Sequence, residues 1–236
     1  MTKWSTKTRR SEMGGFSLIE ALVVVAILLI LAVVAVPNIL QGMRMLRLRS
    51  NATNIATLLQ QARMRAVRDN RSYQVLATNV AVGMNNNWIL FVDGTMGPGS
   101  FGDGYTRGEP YTVLARDVII SNVAPAGAPN IFIQNAMAPG AGVNLALQVS
   151  DSTVATAPTF NPRGVPCRVA GGGLSSPTAA CNTTNVGGAG VPQPVAYVVY
   201  LQSTTVPNDG WSAVTVSPGG RIRSWIYAAQ ANARWR

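Results

Sequence analysis

One carboxylate lies inside the longest apolar segment of the chain. The segment runs from Phe16 to Val36, and Glu20 is its only charged residue. A charged side chain near the centre of a bilayer costs roughly 2.5–3.5 kcal/mol on insertion scales, and less near an interface. Because pairing with an ammonium group would lower that cost, Glu20 predicts a positively charged partner.

Arginine is the second residue type that could recognise a ligand. The chain has 19 Lys+Arg against 9 Asp+Glu, a formal charge of +10, and every basic residue after Gly15 is arginine. Guanidinium groups bind phosphate oxygens in a bidentate fork, so this composition suits phosphate-bearing partners. A genome that simply favours arginine codons is the alternative explanation.

Catalytic chemistry is poorly represented. Histidine is absent, which excludes Ser-His-Asp and Cys-His catalysis and histidine-ligated metals. There is no P-loop or nucleotide fingerprint and the acids are scattered, so we predict no enzyme, no cofactor and no small-molecule substrate. Asp93 and Asp103 lie in a loop (93–110) without the spacing of a calcium-binding loop, so no metal site is predicted.

The two cysteines, Cys167 and Cys181, do not form a C-x-x-C pair. On the far side of a membrane segment they predict one disulfide. Closing a loop of about 15 residues would contribute roughly 3 kcal/mol in the chain-entropy model. Two free, buried thiols are the alternative.

The elements that must position these residues begin with the apolar segment. As an α-helix rising about 1.5 Å per residue it would be roughly 31 Å long, the thickness of one bilayer core. A secretory signal peptide is one interpretation, although the apolar run is longer than usual. A plain membrane anchor is another, since the basic residues before Gly15 would keep the N-terminus in the cytoplasm. Neither interpretation accounts for Glu20.

The stretch GGFSLIE, residues 14–20, resembles the class III leader of type IV prepilins and pseudopilins. The resemblance implies that a prepilin peptidase cuts after Gly15 and that the new N-terminal residue, Phe16, is methylated on its amine. It also implies that Glu20 faces the N-terminal amine of a neighbouring subunit during filament assembly. Before assembly, a single-pass protein of the bacterial inner membrane is expected, with a cytoplasmic N-terminus and a periplasmic head. Other pilins or pseudopilins are the expected partners.

The predicted organisation has four parts: a cleaved leader (1–15), an apolar membrane or filament-core helix (16–43), an amphipathic half of that helix (44–72) and a β-rich head (73–236). Pro37 could end the first helix, but the resemblance favours a helix that continues. The second half carries an apolar face with helical spacing. Its predicted members are Ile55, Leu59, Ala62 and Ala66, widened by Leu58 and Val67.

From Tyr73 onward the apolar period changes to that of strands. Short β-rich runs are bounded by Gly, Pro, Asn and Asp. The runs are SYQVLA, NWILFVD, PYTVLARDVIIS, NIFIQN, VNLALQVS, VAYVVYLQS, WSAVTVS and GRIRSWIYAA. One long helix followed by strands predicts an α+β, type IV pilin-like fold with an antiparallel sheet in the head. Residues 169–194 are predicted to form a low-complexity loop.

Three further motifs of the head resemble the GspH/FimT branch of the prepilin-like family. They are W-x-x-F-x-D-G (Trp88, Phe91, Asp93, Gly94), F-x-P-x-G (Phe160, Pro162, Gly164) and G-R-x-R (Gly220, Arg221, Arg223). The long loop 169–194 and the C-terminal extension SWIYAAQANARWR depart from the short pattern of that branch.

Two functions follow from these features. The first is a minor pilin or pseudopilin of a type IV pilus-like filament, with a type II secretion pseudopilin as the alternative machine. The second is contact with double-stranded DNA, because members of the branch include DNA receptors that use the G-R-x-R arginines. Arg221 and Arg223 alternate along a strand and should share a face. Arg234 and Arg236 add charge near three aromatic residues, Trp225, Tyr227 and Trp235. A solvated strand end, a frayed tail and aromatic core residues are the alternative.

Overall fold

The computed structural model of the chain describes residues 17–82, 85–94, 108–131, 145–146, 157–169, 181–186, 192–205, 210–228 and 234–236. The chain divides into two units, Met1–Met43 and Arg44–Arg236. Helix α1 (Leu18–Arg68) belongs to both of them. The predicted leader, including Gly15 and Phe16, lies outside the described residues.

In the first unit, α1 presents apolar side chains that are exposed. These are Leu18, Ile19, Leu22, Val23, Val24, Val25, Ile27, Leu28, Leu29, Ile30, Leu31, Val33, Val36, Ile39, Leu40 and Met43. Position 37 lies inside α1, so the prediction that the helix continues past Pro37 is confirmed. No helix within the described residues has the length and hydropathy that crossing a membrane requires. The single-pass topology stays a prediction.

In the second unit, α1 buries one face. The predicted members Ile55, Leu59, Ala62 and Ala66 are fully buried, and so is Leu58 at 3% exposure, which confirms the amphipathic pattern. The prediction for Val67 is wrong, because its side chain is 53% exposed. Successive helical residues are about 100° apart, and Val67 lies one step beyond the buried row.

Two sheets pack against this half of α1. The first has the strand order β3-β2-β1-β6-β7-β8 and the second the order β14-β13-β12-β11-β4. The first sheet comprises β1 (Tyr73–Val82), β2 (Asn85–Gly94), β3 (Tyr111–Val113), β6 (Thr159–Phe160), β7 (Pro166–Val169) and β8 (Cys181–Asn182). The second comprises β4 (Val118–Ser121), β11 (Tyr197–Ser203), β12 (Trp211–Val216), β13 (Ile222–Ala228) and β14 (Arg234–Trp235), with β5 (Leu145–Ala146) parallel to β11. The other described pairings are antiparallel, so the fold is α+β, as predicted.

The main core lies between α1 and both sheets. Leu59 and Ala62 of the helix belong to one cluster with Phe91 of the first sheet and Val199 and Val214 of the second. A second cluster covers the opposite face of the second sheet and is rich in aromatic side chains. Its large members are Ile131, Tyr200, Trp211, Trp225, Tyr227 and Trp235. Both faces of the second sheet are therefore buried along most of its length.

The segment 169–194 was predicted as a loop, and the structure differs in part. It contains β8, together with β9 (Thr184–Val186) and β10 (Pro192–Pro194), which pair with each other. A disulfide joins Cys167 to Cys181, which confirms the predicted bridge. The bridge and the pairing of Val169 with Cys181 place β8 beside β7, an attachment that composition alone does not reveal.

Helix α1 ends in a left-handed turn at Asn70, whose φ is 50°. The Arg71 N–H donates to the Ala66 carbonyl at 3.1 Å, which is the six-to-one bond of a Schellman motif. Asp69 accepts hydrogen bonds from Arg68 at 2.7 and 3.1 Å and from the Tyr73 hydroxyl at 2.6 Å. The Tyr73 ring lies over Gly94, where a Cβ would come within 2.3 Å of the ring, so the glycine of W-x-x-F-x-D-G makes room for this ring.

The hydrogen bonds to Asp69 predict an acid-sensitive helix end. The bond from Arg68, and next the bond from Tyr73, lower the pKa of Asp69 from 3.8 to about 2. A depressed carboxyl pKa stabilises the fold above pH 4, and this contribution is lost as the pH falls towards 2. Tyr73→Phe should raise the pKa of Asp69 in a carboxyl-carbon NMR titration, because one donor is removed. Tyr200→Phe is the matched control and should leave it unchanged, and an equal effect of the two changes would contradict the assignment.

Candidate functional site

The first described turn of α1 holds the predicted assembly residue. The backbone N–H groups of Glu20 and Ala21 donate to the Ser17 carbonyl at 3.0 and 3.1 Å. The Glu20 side chain is exposed in the first turn of the helix. A carboxylate is favoured there, because the positive end of the helix dipole lies at the N-terminus.

A second candidate site forms where Arg63 of α1 joins two turns. Its Nε donates to the carbonyl of Gly164 at 3.0 Å and its Nη1 to the carbonyl of Gly220 at 2.9 Å. A planar guanidinium can hold two carbonyls at once because its donors are fixed in direction. The glycines of the F-x-P-x-G and G-R-x-R motifs therefore meet at one side chain.

The same two glycines are required by backbone geometry. Gly164 has a φ of 71° and Gly220 a φ of 79°, both in the left-handed region that favours glycine. A Cβ at Gly220 would lie 2.6 Å from the Gly164 carbonyl oxygen and 3.1 Å from Arg63 Cζ. By contrast, a Cβ at the neighbouring Gly219 would meet nothing within 4 Å. The two turns are thus in direct backbone contact.

The structure separates the four arginines that the sequence grouped together. Arg221 is exposed and directly precedes β13, and Arg223 is half-buried with its guanidinium 5.7 Å from the centre of the Trp225 ring. Arg234 pairs with Ala228 at the other end of β13, about 20 Å away at roughly 3.3 Å per residue. Arg236 exchanges backbone hydrogen bonds with Ile226.

Strand alternation also places these arginines on different faces. Directly paired residues of antiparallel strands share a face, and residues one apart do not. Arg234 and Arg236 pair with Ala228 and Ile226, whereas Arg223 alternates with them and shares the face of Trp225. The described structure does not bring Arg234 and Arg236 together with Arg221 and Arg223.

The aromatic residues near these arginines are core residues. Trp225 is 9% exposed, Tyr227 3% and Trp235 2%. The Trp225 Nε1 donates to the Thr215 hydroxyl at 2.8 Å, and the Trp235 Nε1 donates to the Pro129 carbonyl at 3.2 Å. The interpretation as core residues is confirmed, so these rings do not offer a surface on which bases could stack.

An open groove runs beside the turn that carries Arg221. Side chains from α1 and from the start of β13 line it, namely Gln60, Met64, Val67, Arg68, Arg221 and Ile222. Arg68 is already bound to Asp69, with Nε 2.7 Å from the nearer carboxylate oxygen. Among the described residues, no group of three His, Cys, Asp or Glu side chains could hold a metal ion.

Comparison with known proteins gives a match in the N-terminal part of the chain. A family model described as the prokaryotic N-terminal methylation motif matches residues 10–36. The chain carries an N-terminal methylation motif. No curated protein and no solved structure matches the chain. The match spans Gly15, Phe16 and Glu20 and ends within the exposed apolar part of α1.

The methylation motif indicates a type IV pilin-like protein. It covers no residue of the second unit, so the resemblance of the head to the GspH/FimT branch stays a prediction. Sequence reasoning missed Arg63, which lies beside the buried face of α1 and has no motif of its own. The only signal was the pair of motif glycines, because a glycine often marks a close approach of another group.

Proposed function

We propose that the chain is a minor subunit of a type IV pilus-like filament. In this proposal a prepilin peptidase cleaves after Gly15, Phe16 is methylated, and Glu20 pairs with the N-terminal amine of a neighbouring subunit. The observation that carries the proposal is the methylation motif at residues 10–36, continuing into a helix of 51 residues. The helix supplies a stem and the second unit supplies a head.

The exposed apolar surface of the stem supports the proposal that the protein assembles with other subunits. Leu18, Ile30 and Val33 are 84%, 68% and 76% exposed, and exposed apolar patches of this extent mark interaction surfaces. Burying apolar surface yields roughly 25 cal/mol per Å², so packing against other stems would stabilise the filament strongly. Before assembly the same surface would hold the protein in the bacterial inner membrane, with the N-terminus cytoplasmic and the head periplasmic.

Within this class, a type II secretion pseudopilin is the alternative to a pilus subunit. Both machines would use the same leader, the same Glu20 and the same stem. Fractionation distinguishes them, because a pilus subunit should be recovered in filaments sheared from the cell surface. A pseudopilin should remain with the periplasmic secretion apparatus, and its loss should block protein secretion.

Processing is the direct test of the filament proposal. Mature protein extracted from membranes should begin at Phe16 and carry one methyl group on its amine, as read by N-terminal mass spectrometry. Gly15→Leu should retain the leader, whereas Gly14→Ala is the control and should be cleaved. An N-terminus near Ala35–Pro37 would indicate an ordinary signal peptide and would contradict the proposal.

Contact with duplex DNA is the second candidate function. It is favoured by the exposure of Arg221 at the edge of a groove and of Arg163 on the turn that Arg63 joins to it. Such contact would be to phosphates, since the nearby aromatic residues are buried. It would therefore depend on salt and not on base sequence.

The salt dependence of binding tests this second function. The full chain in zwitterionic detergent should bind labelled duplexes of unrelated sequence with equal affinity. Log affinity should fall with log salt at about −0.9 per phosphate neutralised, or roughly −2 to −4 for two to four arginines. Binding that is insensitive to salt, or no binding at all, would leave the filament role alone.

A further inference from the structure

We propose that Arg163 and Arg221 act together as one phosphate-binding pair on duplex DNA, and that Arg63 is the positioning residue that holds them side by side. This inference rests on the DNA contact proposed above and names the groups that would make it. It replaces the grouping of Arg221 with Arg223, Arg234 and Arg236 that the sequence suggested.

The pair is created by the contact between the two turns. Arg163 directly precedes Gly164, and Arg221 directly follows Gly220. Arg63 bonds to the carbonyls of both glycines, at 3.0 and 2.9 Å. Hydrogen bonds within each turn fix its shape, from Gly164 N–H to Asn161 O at 2.8 Å and from Gly220 N–H to Ser217 O at 2.7 Å. Two exposed arginines that are distant in sequence thus stand on one rigid support.

The neighbouring charged side chains leave Arg163 and Arg221 able to bind a ligand. The Arg63 guanidinium is committed to two carbonyls, and Arg68 is bound to Asp69. Arg163 and Arg221 are exposed, and within the part of the chain that the structure describes no carboxylate forms an ion pair with either. No described carboxylate therefore neutralises their charges.

The chemistry of the pair favours a nucleic-acid backbone as the partner. Guanidinium forks bind phosphate oxygens, and two cations on a fixed support suit a polymer of regularly spaced phosphates. Arg63 lies about 28 Å along α1 from Arg44, where the second unit begins, at about 1.5 Å per residue. The pair therefore lies well inside the second unit.

A fixed support gives the two arginines a cooperative effect. Once one guanidinium has bound a phosphate, the second is already close to the next and binds with a high effective concentration. Less conformational entropy is lost than for two independent side chains. Loss of Arg63 would keep both ligating charges but remove their fixed relation, which gives its role a distinct signature.

The experiment measures binding of a labelled duplex by the full chain in zwitterionic micelles across a salt series. Arg163→Gln and Arg221→Gln should each reduce the magnitude of the salt slope by about 0.9 and weaken binding roughly fivefold at 0.15 M salt. The matched control is Arg234→Gln with Arg236→Gln, which removes two charges from the other end of β13. It should change the slope much less than the Arg163→Gln, Arg221→Gln pair.

The role of Arg63 is read from a double-mutant cycle. In the wild-type background, the loss of DNA affinity caused by Arg163→Gln and Arg221→Gln together should differ from the product of the two single losses. In the Arg63→Gln background it should equal that product. Thermal denaturation checks that Arg63→Gln is folded at the assay temperature. Independently of any variant, the Nε–H NMR signals of Arg163 and Arg221 in wild-type protein should both shift on addition of duplex.

The outcomes distinguish failure of the arginine pair from failure of DNA contact itself. No salt-sensitive binding by wild-type protein would overturn DNA contact and the pair together. Wild-type binding that Arg163→Gln and Arg221→Gln weaken no more than the control pair would overturn the pair alone. Coupling that persists without Arg63 would remove its positioning role. Equal binding to phosphatidylglycerol vesicles, weakened by the same changes, would identify a membrane surface and overturn the nucleic-acid partner.

Discussion

Gly220→Ala is expected to destabilise the head by about 2–4 kcal/mol. A non-glycine residue in the left-handed region costs roughly 1–2 kcal/mol, and Gly220 has a φ of 79°. The new Cβ would lie 2.6 Å from the carbonyl oxygen of Gly164, a backbone atom that cannot rotate away. Separating the turns would also strain the two hydrogen bonds of Arg63, and a hydrogen bond to a charged group is worth about 1.5–3 kcal/mol.

The neighbouring glycine is the matched control for this prediction. Gly219→Ala adds the same methyl group where nothing lies within 4 Å, so its effect should stay within about 0.5 kcal/mol. Denaturant midpoints of the full chain measure both changes, and similar values for the two would refute the close-contact explanation. In an Arg63→Ala background the cost of Gly220→Ala should shrink, because part of it is the loss of the Arg63 bonds.

The elements that could be predicted from sequence are those specified by local patterns. The buried face of α1 follows from side chains spaced by helical turns, and β11 to β13 follow from long β-rich runs. Strands β6 and β14 were not predicted, because two residues are too few to show a strand period. β6 exists through its pairing with the distant strand β1, and β14 through its pairing with the neighbouring β13. The run NIFIQN was predicted as a strand, and only Asn130 and Ile131 of it fall within the described residues.

The candidate sites also differ in how far local sequence predicts them. Glu20 and its leader form one contiguous motif, so their relation can be read along the chain. The Arg63 contact joins α1 to two turns about 100 and 157 residues away, and no spacing rule connects such positions. The alternation of Arg221 and Arg223 predicted a shared face, but could not reveal that both faces of the second sheet are covered.

Glu20→Ala is expected to abolish incorporation into filaments while leaving cleavage after Gly15 intact. In the filament, the carboxylate would be buried among apolar stems beside the N-terminal amine of a neighbouring subunit. Removing one partner of a buried ion pair typically costs about 3–5 kcal/mol, because the other charge is left unpaired. That corresponds to a loss of roughly a hundredfold or more in the assembly equilibrium at each subunit contact.

Charge, and not helix stability, should be the cause of this loss. Alanine is the best helix former, and the charge–dipole interaction lost from the first turn is worth at most about 1 kcal/mol. Glu20→Ala should therefore weaken α1, where Glu20 lies exposed, far less than it weakens the contact between subunits. Glu20→Gln keeps the size and a hydrogen-bonding group but no charge, and should fail almost as completely. Ser17→Ala, three residues away, is the control and should assemble normally. Quantitative immunoblots of sheared filaments, with mass spectrometry of the N-terminus, measure both steps, and assembly of Glu20→Ala at the wild-type level would disprove the pairing role.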